Sequence, residues 1–193
     1  MKSLNKLLVK VFSVMLSIML LNISAFASRY ATINNDYTGP GLSGLQVHLW
    51  GTQTNPLIYS NYTESSGNGG VFLIEQGSDI GVDIYYAQFN GNTALNGGAV
   101  AQMSTFDANN FQNASFENNS ATNGGAIYIS DGKLNVVAES GEHSRFHNNT
   151  STEKGGAVYN AGDFNAGSSN GEGGPIYFRF NDAGTSGGAI YNC

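Results

Sequence analysis

The sequence predicts an all-β fold, a parallel β-helix in which short strands stack coil upon coil. Three observations predict it: a repeated two-part motif, short runs of alternating apolar and polar residues, and a lack of helix-forming segments. Glycine accounts for 26 of the 193 residues and proline for only 3, so the chain is neither collagen-like nor a Pro/Gly linker. Apolar residues make up 40% of the chain, which is enough to form a core.

The motif occurs four times in the second half of the chain. Each copy has Phe-x-x-Asn, followed after a short gap by Gly-Gly-Ala and a β-branched residue. The first glycine of each copy recurs at nearly even intervals, at Gly97, Gly124, Gly155 and Gly187. A repeat of roughly 30 residues is typical of a solenoid. The motif residues are Phe89, Asn92, Gly97, Gly98, Ala99, Phe116, Asn119, Gly124, Gly125, Ala126, Phe146, Asn149, Gly155, Gly156, Ala157, Phe178, Asn181, Gly187, Gly188 and Ala189.

The segments between the motif copies have the pattern of strands. In residues 133–138, Leu134, Val136 and Ala138 fall on one face and alternate with residues of the other face. Such alternation over a few residues indicates a β-strand. Helical repeats would need runs of good helix formers, and Gly, Asn, Ser and Thr dominate here instead. One coil of short strands per repeat is therefore expected, with coils about 4.8 Å apart.

Each half of the motif has a physical interpretation within such a coil. Gly-Gly allows positive φ at a sharp corner, and the alanine fits where successive corners crowd together. The β-branched residue then starts the next strand. The phenylalanine is predicted to point inward and to stack on the phenylalanine of the next coil. The asparagine is predicted to occupy the left-handed conformation at a turn and to form a side-chain amide ladder from coil to coil. Gly69-Gly70-Val71 is interpreted as a degenerate earlier copy.

The start of the chain has the pattern of an export signal. Residues 1–27 combine three lysines, an apolar stretch from Val11 to Ile23, and Ala25-Phe26-Ala27 as a cleavage site. The apolar stretch is shorter than the roughly 20 residues that span a bilayer. We therefore expect an exported mature chain without a transmembrane segment. Residues 28–57 are predicted to be an N-terminal cap and residues 58–193 the β-helix repeats, with clear copies from residue 89.

Charge and cysteine content exclude several classes of protein. The chain has 8 Lys and Arg against 14 Asp and Glu, a formal net charge of −6. Nucleic-acid binding needs a basic face, so no nucleic-acid partner is expected. A single cysteine excludes a disulfide framework and a cysteine-based zinc site. Cys193 is either a free thiol or the partner of a cysteine outside this sequence.

Catalytic and metal sites are not predicted, and no cofactor is expected. His143 and His147 are four apart, but in a strand their side chains would be about 13 Å apart, which predicts a solvated surface pair. Asp79 and Asp83 are the nearest carboxylate pair that could serve as an acid and a base or as calcium ligands. They alternate with apolar residues in the ordinary pattern of a half-buried strand, and we expect no catalytic residue there.

The paired motif resembles the repeat of the chlamydial polymorphic outer membrane proteins. The resemblance covers about residues 89–193 and, weakly, 58–88. It implies a right-handed β-helix passenger that a C-terminal β-barrel delivers to the cell surface as an autotransporter, and it implies adhesion carried by the repeat tetrapeptides. This chain has four clear repeats and no barrel, and the last repeat ends at Cys193. We therefore interpret the chain as the N-terminal part of a longer protein, with a degraded gene copy as the alternative.

The sequence therefore predicts an exported, surface-associated adhesion or interaction module at the outer membrane. Its partner would be a host cell, a glycan or another bacterial surface. Two alternatives remain open: a secreted β-helix enzyme, a lyase or hydrolase acting on polysaccharides, and a structural spacer.

Overall fold

A computed structural model describes residues 31–33, 46–78, 81–107, 109–167 and 173–193. These residues form strands, turns and bends, and none of them is helical. The strands follow one another along the chain as β1 (Ala31–Ile33), β2 (Gln46–Trp50), β3 (Leu57–Ser60), β4 (Thr63–Asn68), β5 (Phe72–Ile74), β6 (Gly81–Tyr85), β7 (Ala87–Asn90), β8 (Thr93–Asn96), β9 (Val100–Gln102), β10 (Asn109–Gln112), β11 (Ser115–Glu117), β12 (Ser120–Asn123), β13 (Ile127–Ile129), β14 (Lys133–Val137), β15 (Ser144–His147), β16 (Thr150–Lys154), β17 (Val158–Asn160), β18 (Asp163–Ala166), β19 (Ile176–Arg179), β20 (Asp182–Ala183) and β21 (Ile190–Asn192).

Every fourth strand belongs to the same sheet. The first sheet has the order β1-β5-β9-β13-β17-β21, the second β2-β6-β10-β14-β18, the third β3-β7-β11-β15-β19 and the fourth β4-β8-β12-β16-β20. All pairings between these strands are parallel. Four consecutive strands thus make one coil, and the coils stack into a parallel β-solenoid. The predicted parallel β-helix is confirmed.

The core lies inside the coils and is built from the alternate residues of each strand. In β14, Leu134 and Val136 are completely buried while the intervening Asn135 is partly exposed. The predicted alternation in this segment is therefore confirmed. Buried aromatic and aliphatic side chains from successive coils form one continuous cluster. Phe72 and Phe111, from the first and second sheets, add a second set of buried rings that the motif does not include.

The N-terminal part of the chain is only partly described. The predicted signal peptide, residues 1–27, lies outside the described residues, as does much of the predicted cap, residues 28–57. The described strands of that segment, β1 and β2, pair in parallel with β5 and β6. Further along, Gly69 has φ +67° and precedes β5, just as Gly97 has φ +63° and precedes β9. Residues 69–71 therefore form an earlier copy of the corner.

Candidate functional site

The phenylalanines of the motif form a continuous stack inside the third sheet. Phe89, Phe116, Phe146 and Phe178 are aligned in register across β7, β11, β15 and β19. Successive ring centroids are 4.7, 4.8 and 4.6 Å apart, and the rings are within 6° of parallel. The stack therefore follows the strand spacing, as the sequence predicts. Tyr59 continues it into the preceding coil at 5.2 Å from Phe89.

The asparagines of the motif form a buried ladder beside this stack. The Nδ2 of Asn119 donates to the Oδ1 of Asn149 at 2.9 Å and to the carbonyl oxygen of Phe89 at 3.0 Å. The Oδ1 of Asn119 accepts from the backbone N–H and the Nδ2 of Asn92. Asn149 and Asn181 repeat these contacts. The ladder satisfies polar groups that no water reaches, because Asn92, Asn119 and Asn149 have no exposed surface.

One detail of the prediction is wrong: the motif asparagine is not the residue in the left-handed conformation. That conformation belongs to the residue before it, with φ +54° at Asn118 and +56° at Asn148. In the last copy Phe180 takes this position, also with φ +56°. The turn needs its positive φ one residue earlier because the following asparagine must direct its amide into the core.

The two glycines of the corner serve different purposes. The first has positive φ, for example +60° at Gly124, as predicted. The second, Gly125, does not have positive φ. A Cβ atom on Gly125 would overlap the carbonyl oxygen of Gly156 in the next coil. The second glycine is therefore needed for close approach between coils, and the following Ala126 is fully buried.

The outer surface is consequently formed by residues that the motif does not specify. The ring of Phe116 and the amide of Asn119 are completely buried. A partner of the folded chain meets instead the outward side chains of each sheet. A membrane-spanning helix is absent from the part of the chain that the structure describes.

The third sheet has a basic and aromatic surface at β15 and β19. A depression of about 400 Å³ there is lined by His143, Arg145, Phe146, His147, Tyr177, Arg179 and Phe180. The parallel register places Arg145 beside Tyr177 and His147 beside Arg179. We call the six outward residues, His143, Arg145, His147, Tyr177, Arg179 and Phe180, the basic-aromatic patch.

Contacts within and beside the patch orient its side chains. The Nε of Arg145 donates to Glu117 Oε1 at 2.8 Å, on the neighbouring strand β11. The guanidinium of Arg179 lies over the ring of Tyr177, with 5.2 Å between its carbon and the ring centroid. The rings of His147 and Phe180 meet edge to face at 5.3 Å. The two histidines four apart are therefore a surface pair within this patch.

A second outward cluster lies on the second sheet at β2 and β6. The rings of Trp50 and Tyr85 are parallel within 3° and 3.9 Å apart. Asp83 Oδ2 lies 3.1 Å from His48 Nδ1 and accepts a 3.3 Å hydrogen bond from the Tyr85 hydroxyl. Burial raises the pKa of the Tyr85 hydroxyl, and the nearby Asp83 carboxylate raises it further. The carboxylate is thus held by two polar partners in an ordinary surface network.

The remaining residues that were considered for catalysis or metal binding do not form a common site among the described residues. Asp79 lies outside the described residues, so its predicted relation to Asp83 is not visible. No group of three or more His, Cys, Asp or Glu side chains comes together within the described part of the chain. Cys193 is exposed, and its Sγ lies 3.5 Å from the Tyr159 hydroxyl. This hydrogen bond is the largest of the effects that raise the pKa of Tyr159 to about 12.

Sequence reasoning missed most of the patch. It identified His143 and His147 by their spacing but not Arg145, Tyr177 and Arg179. The sequence did contain a signal for two of these residues. Because Phe178 is predicted to point inward, its neighbours Tyr177 and Arg179 must point outward from the strand. Which outward residues of another coil lie beside them depends on the register between coils.

Two segments of the chain match a known family of repeats. Residues 113–130 and 143–161 match the model described as the Chlamydia polymorphic membrane protein (Chlamydia_PMP) repeat. They contain the second and third copies of the motif, from Phe116 to Ile127 and from Phe146 to Val158. Searches of curated proteins and of solved structures gave no significant match. These two segments are therefore similar to the repeat of the Chlamydia polymorphic membrane proteins, a family of surface-associated outer membrane proteins.

Proposed function

We propose that this chain is an exported, surface-associated β-helix passenger that acts in adhesion or interaction at the bacterial outer membrane and is not an enzyme. The repeat, shared with a family of outer membrane proteins, supports the location. One observation carries the proposed role: both halves of the motif are used inside the solenoid. The outward positions are then free to present binding residues without loss of the fold.

The proposed mechanism is geometric. The phenylalanine stack and the buried amide ladder tie each coil to the next, which makes the shaft stiff. Each sheet then displays its outward side chains in rows about 4.8 Å apart. A rigid display loses little conformational entropy on binding, so weak contacts along the shaft can add up to a useful affinity.

Bead attachment to cells tests this proposal. Fluorescent beads coated with residues 28–193 are incubated with cultured epithelial cells. We expect them to attach in greater numbers than beads coated with albumin and to be displaced by the soluble chain. Attachment equal to the albumin control would contradict a role in adhesion to such cells.

Two further measurements separate the alternatives. Antibodies against the folded chain should label intact source bacteria, and labelling only after permeabilisation would contradict surface display. Pectin and alginate incubated with the chain should release no reducing or unsaturated ends. Their release would favour a polysaccharide lyase or hydrolase instead.

A further inference from the structure

We propose that the basic-aromatic patch is a binding site for an acidic polysaccharide, whose sugar rings carry carboxylate or sulfate groups. The inference rests on the proposed function, because it assigns a ligand class to one outward face of the shaft. Its residues lie in the depression of about 400 Å³ at β15 and β19.

Charge is the first observation that supports this site. The chain carries a formal net charge of −6, and its described basic residues are Lys133, Arg145, Lys154 and Arg179. Both arginines of this set lie in the patch together with two of the three histidines of the chain. Glu117 pairs with Arg145, so among the described residues the unpaired positive charge of the patch is that of Arg179. Such a charge on an acidic protein attracts an anionic partner to that place.

The type of cation is the second observation. An arginine guanidinium presents a planar fork of donors that fits a carboxylate or a sulfate-like oxyanion by two parallel hydrogen bonds. Within the described residues, Arg179 makes no ion pair and lies against the ring of Tyr177. Its donors are thus held in position by an aromatic face while no described carboxylate neutralises them. Arg145 is oriented by Glu117 at the other side of the patch.

The arrangement favours an extended ligand over a single small anion. Arg145 and Arg179 are diagonal neighbours on adjacent strands, so their Cα atoms are roughly 8 Å apart from the strand spacing and the rise per residue. Arg145 extends toward β11 to reach Glu117, whereas Arg179 folds over Tyr177 on β19. The two guanidinium groups therefore lie against different strands, and a ligand that contacts both has to extend across β15.

Aromatic surface between and beside the charges completes the site. The side chain of Tyr177 is 40% exposed and that of Phe180 is 77% exposed. A sugar ring offers a face of C–H groups that packs on such a flat apolar ring while its hydroxyl groups stay in water. Phe180 takes the turn position that is glycine or asparagine in the other motif copies. A bulky residue at φ +56° is unfavourable for the turn itself, which is consistent with a role in binding.

Binding to three immobilised polymers tests the site. The probes are polygalacturonate, which carries only carboxylates, dextran sulfate, which carries only sulfates, and uncharged dextran. We expect the chain to bind one or both charged polymers, with an affinity that falls as NaCl is raised, and not to bind dextran. Binding to polygalacturonate alone assigns a carboxylate ligand, and binding to dextran sulfate alone assigns a sulfated one. Absence of binding to both charged polymers overturns the inference.

A pair of charge-matched variants locates the binding. R145Q/R179Q should weaken binding at least tenfold, whereas K133Q/K154Q removes two positive charges from other sheets and should change it less than twofold. Y177A, which leaves the charge intact, should weaken binding severalfold. Circular dichroism checks that each variant stays folded. Equal losses in the two double variants would show that net charge alone is measured and would overturn the site.

Further outcomes distinguish the failure of this inference from the failure of the proposed function, and an acidic polysaccharide from other polyanions. Cell attachment by the wild type without binding to either charged polymer would reject the patch and leave adhesion intact. Polymer binding without cell attachment would support the patch and reject adhesion. Tighter binding of double-stranded DNA than of either polysaccharide would overturn the assignment of an acidic polysaccharide.

Discussion

The ring of Phe116 is completely buried and lies between the rings of Phe89 and Phe146. It also meets Phe111 of the second sheet edge to face at 5.8 Å. A residue at this position therefore links three successive coils and two sheets. Deletion of the ring removes buried apolar area and leaves a cavity that the regular stack cannot close.

We expect Phe116→Ala to lower the free energy of unfolding by about 3–5 kcal/mol. Chemical denaturation followed by circular dichroism measures the loss. The matched control is Phe180→Ala, which removes the same ring from an exposed position and should change stability by less than about 0.5 kcal/mol. Loss of cell attachment by Phe116→Ala with unchanged stability would contradict the structural role of this ring.

The buried amide of Asn119 supports a second prediction. In Asn119→Ala, the backbone N–H of Asn92 loses its acceptor and the carbonyl oxygen of Phe89 loses the hydrogen bond from Asn119 Nδ2. The Nδ2 of Asn92 keeps only the Tyr59 carbonyl oxygen. Each buried polar group left unpaired costs about 1–3 kcal/mol. We expect a loss of stability of at least about 2 kcal/mol, measured by the denaturation midpoint.

The adjacent Asn118 provides the control for this amide. Its side chain belongs to an exposed ladder with Asn90 and Asn148, and glycine adopts its positive φ without strain. Asn118→Gly should therefore change stability by less than about 1 kcal/mol. Equal losses of stability in Asn118→Gly and Asn119→Ala would show that the contribution of the asparagine does not depend on burial of its amide.

At the scale of elements, the corner before each strand of the first sheet sets how closely coils approach. The carbonyl oxygen of the next coil occupies the space where a side chain on Gly125 would begin. The same position in the last copy is Gly188, where the nearest atom to an added Cβ is the Asn181 carbonyl oxygen at 3.7 Å. Equivalent motif positions therefore differ in what they tolerate.

Gly125→Ala should strongly destabilise the chain, because the clash is with backbone that cannot move without breaking the coil stacking. Gly188→Ala should leave the melting temperature within a few degrees of the wild type, because an ordinary van der Waals contact is all it creates. Melting curves of both variants make the comparison. A larger fall in melting temperature for Gly188→Ala than for Gly125→Ala would contradict the stacking order of the coils.

At the scale of the whole molecule, stability is expected to differ between coils. Each coil contacts mainly its neighbours, as in other solenoids. Strands β11 and β13 pair on both sides and carry the fully buried Phe116 and Ile127. Within the described residues, β20 has only two residues and pairs on one side, and Ile190 of β21 is 39% exposed.

Amide hydrogen exchange followed by mass spectrometry should therefore show the slowest exchange in peptides covering β11 and β13. Peptides covering β20 and β21 should exchange faster, since within the described residues β20 is short and pairs on one side and Ile190 is partly exposed. Uniform protection along the chain would indicate that the solenoid unfolds as a single unit. Faster exchange at β11 than at β20 would contradict the coil arrangement.

The repeat, the strand alternation and the inward stack of phenylalanines can all be predicted from the amino-acid sequence. These features are local: Phe-x-x-Asn and Gly-Gly-Ala recur together at nearly even intervals, and apolar residues with period two must face the core. The amide ladder could also be predicted, because identical residues at one corner of stacked coils meet at the strand spacing. The positive φ one residue before the asparagine could not, since it depends on where the amide must point.

The composition of the outer surface depends on how the coils stack. Arg145 and Tyr177 lie side by side although they belong to different repeats, and Phe111 and Phe116 meet from different sheets. The interval from Gly97 to Gly124 is shorter than the interval from Gly155 to Gly187, so positions outside the motif have no fixed partner in the next coil. Their juxtaposition follows from the hydrogen-bonded register between coils, and that register is a property of the stacked chain and not of any single repeat.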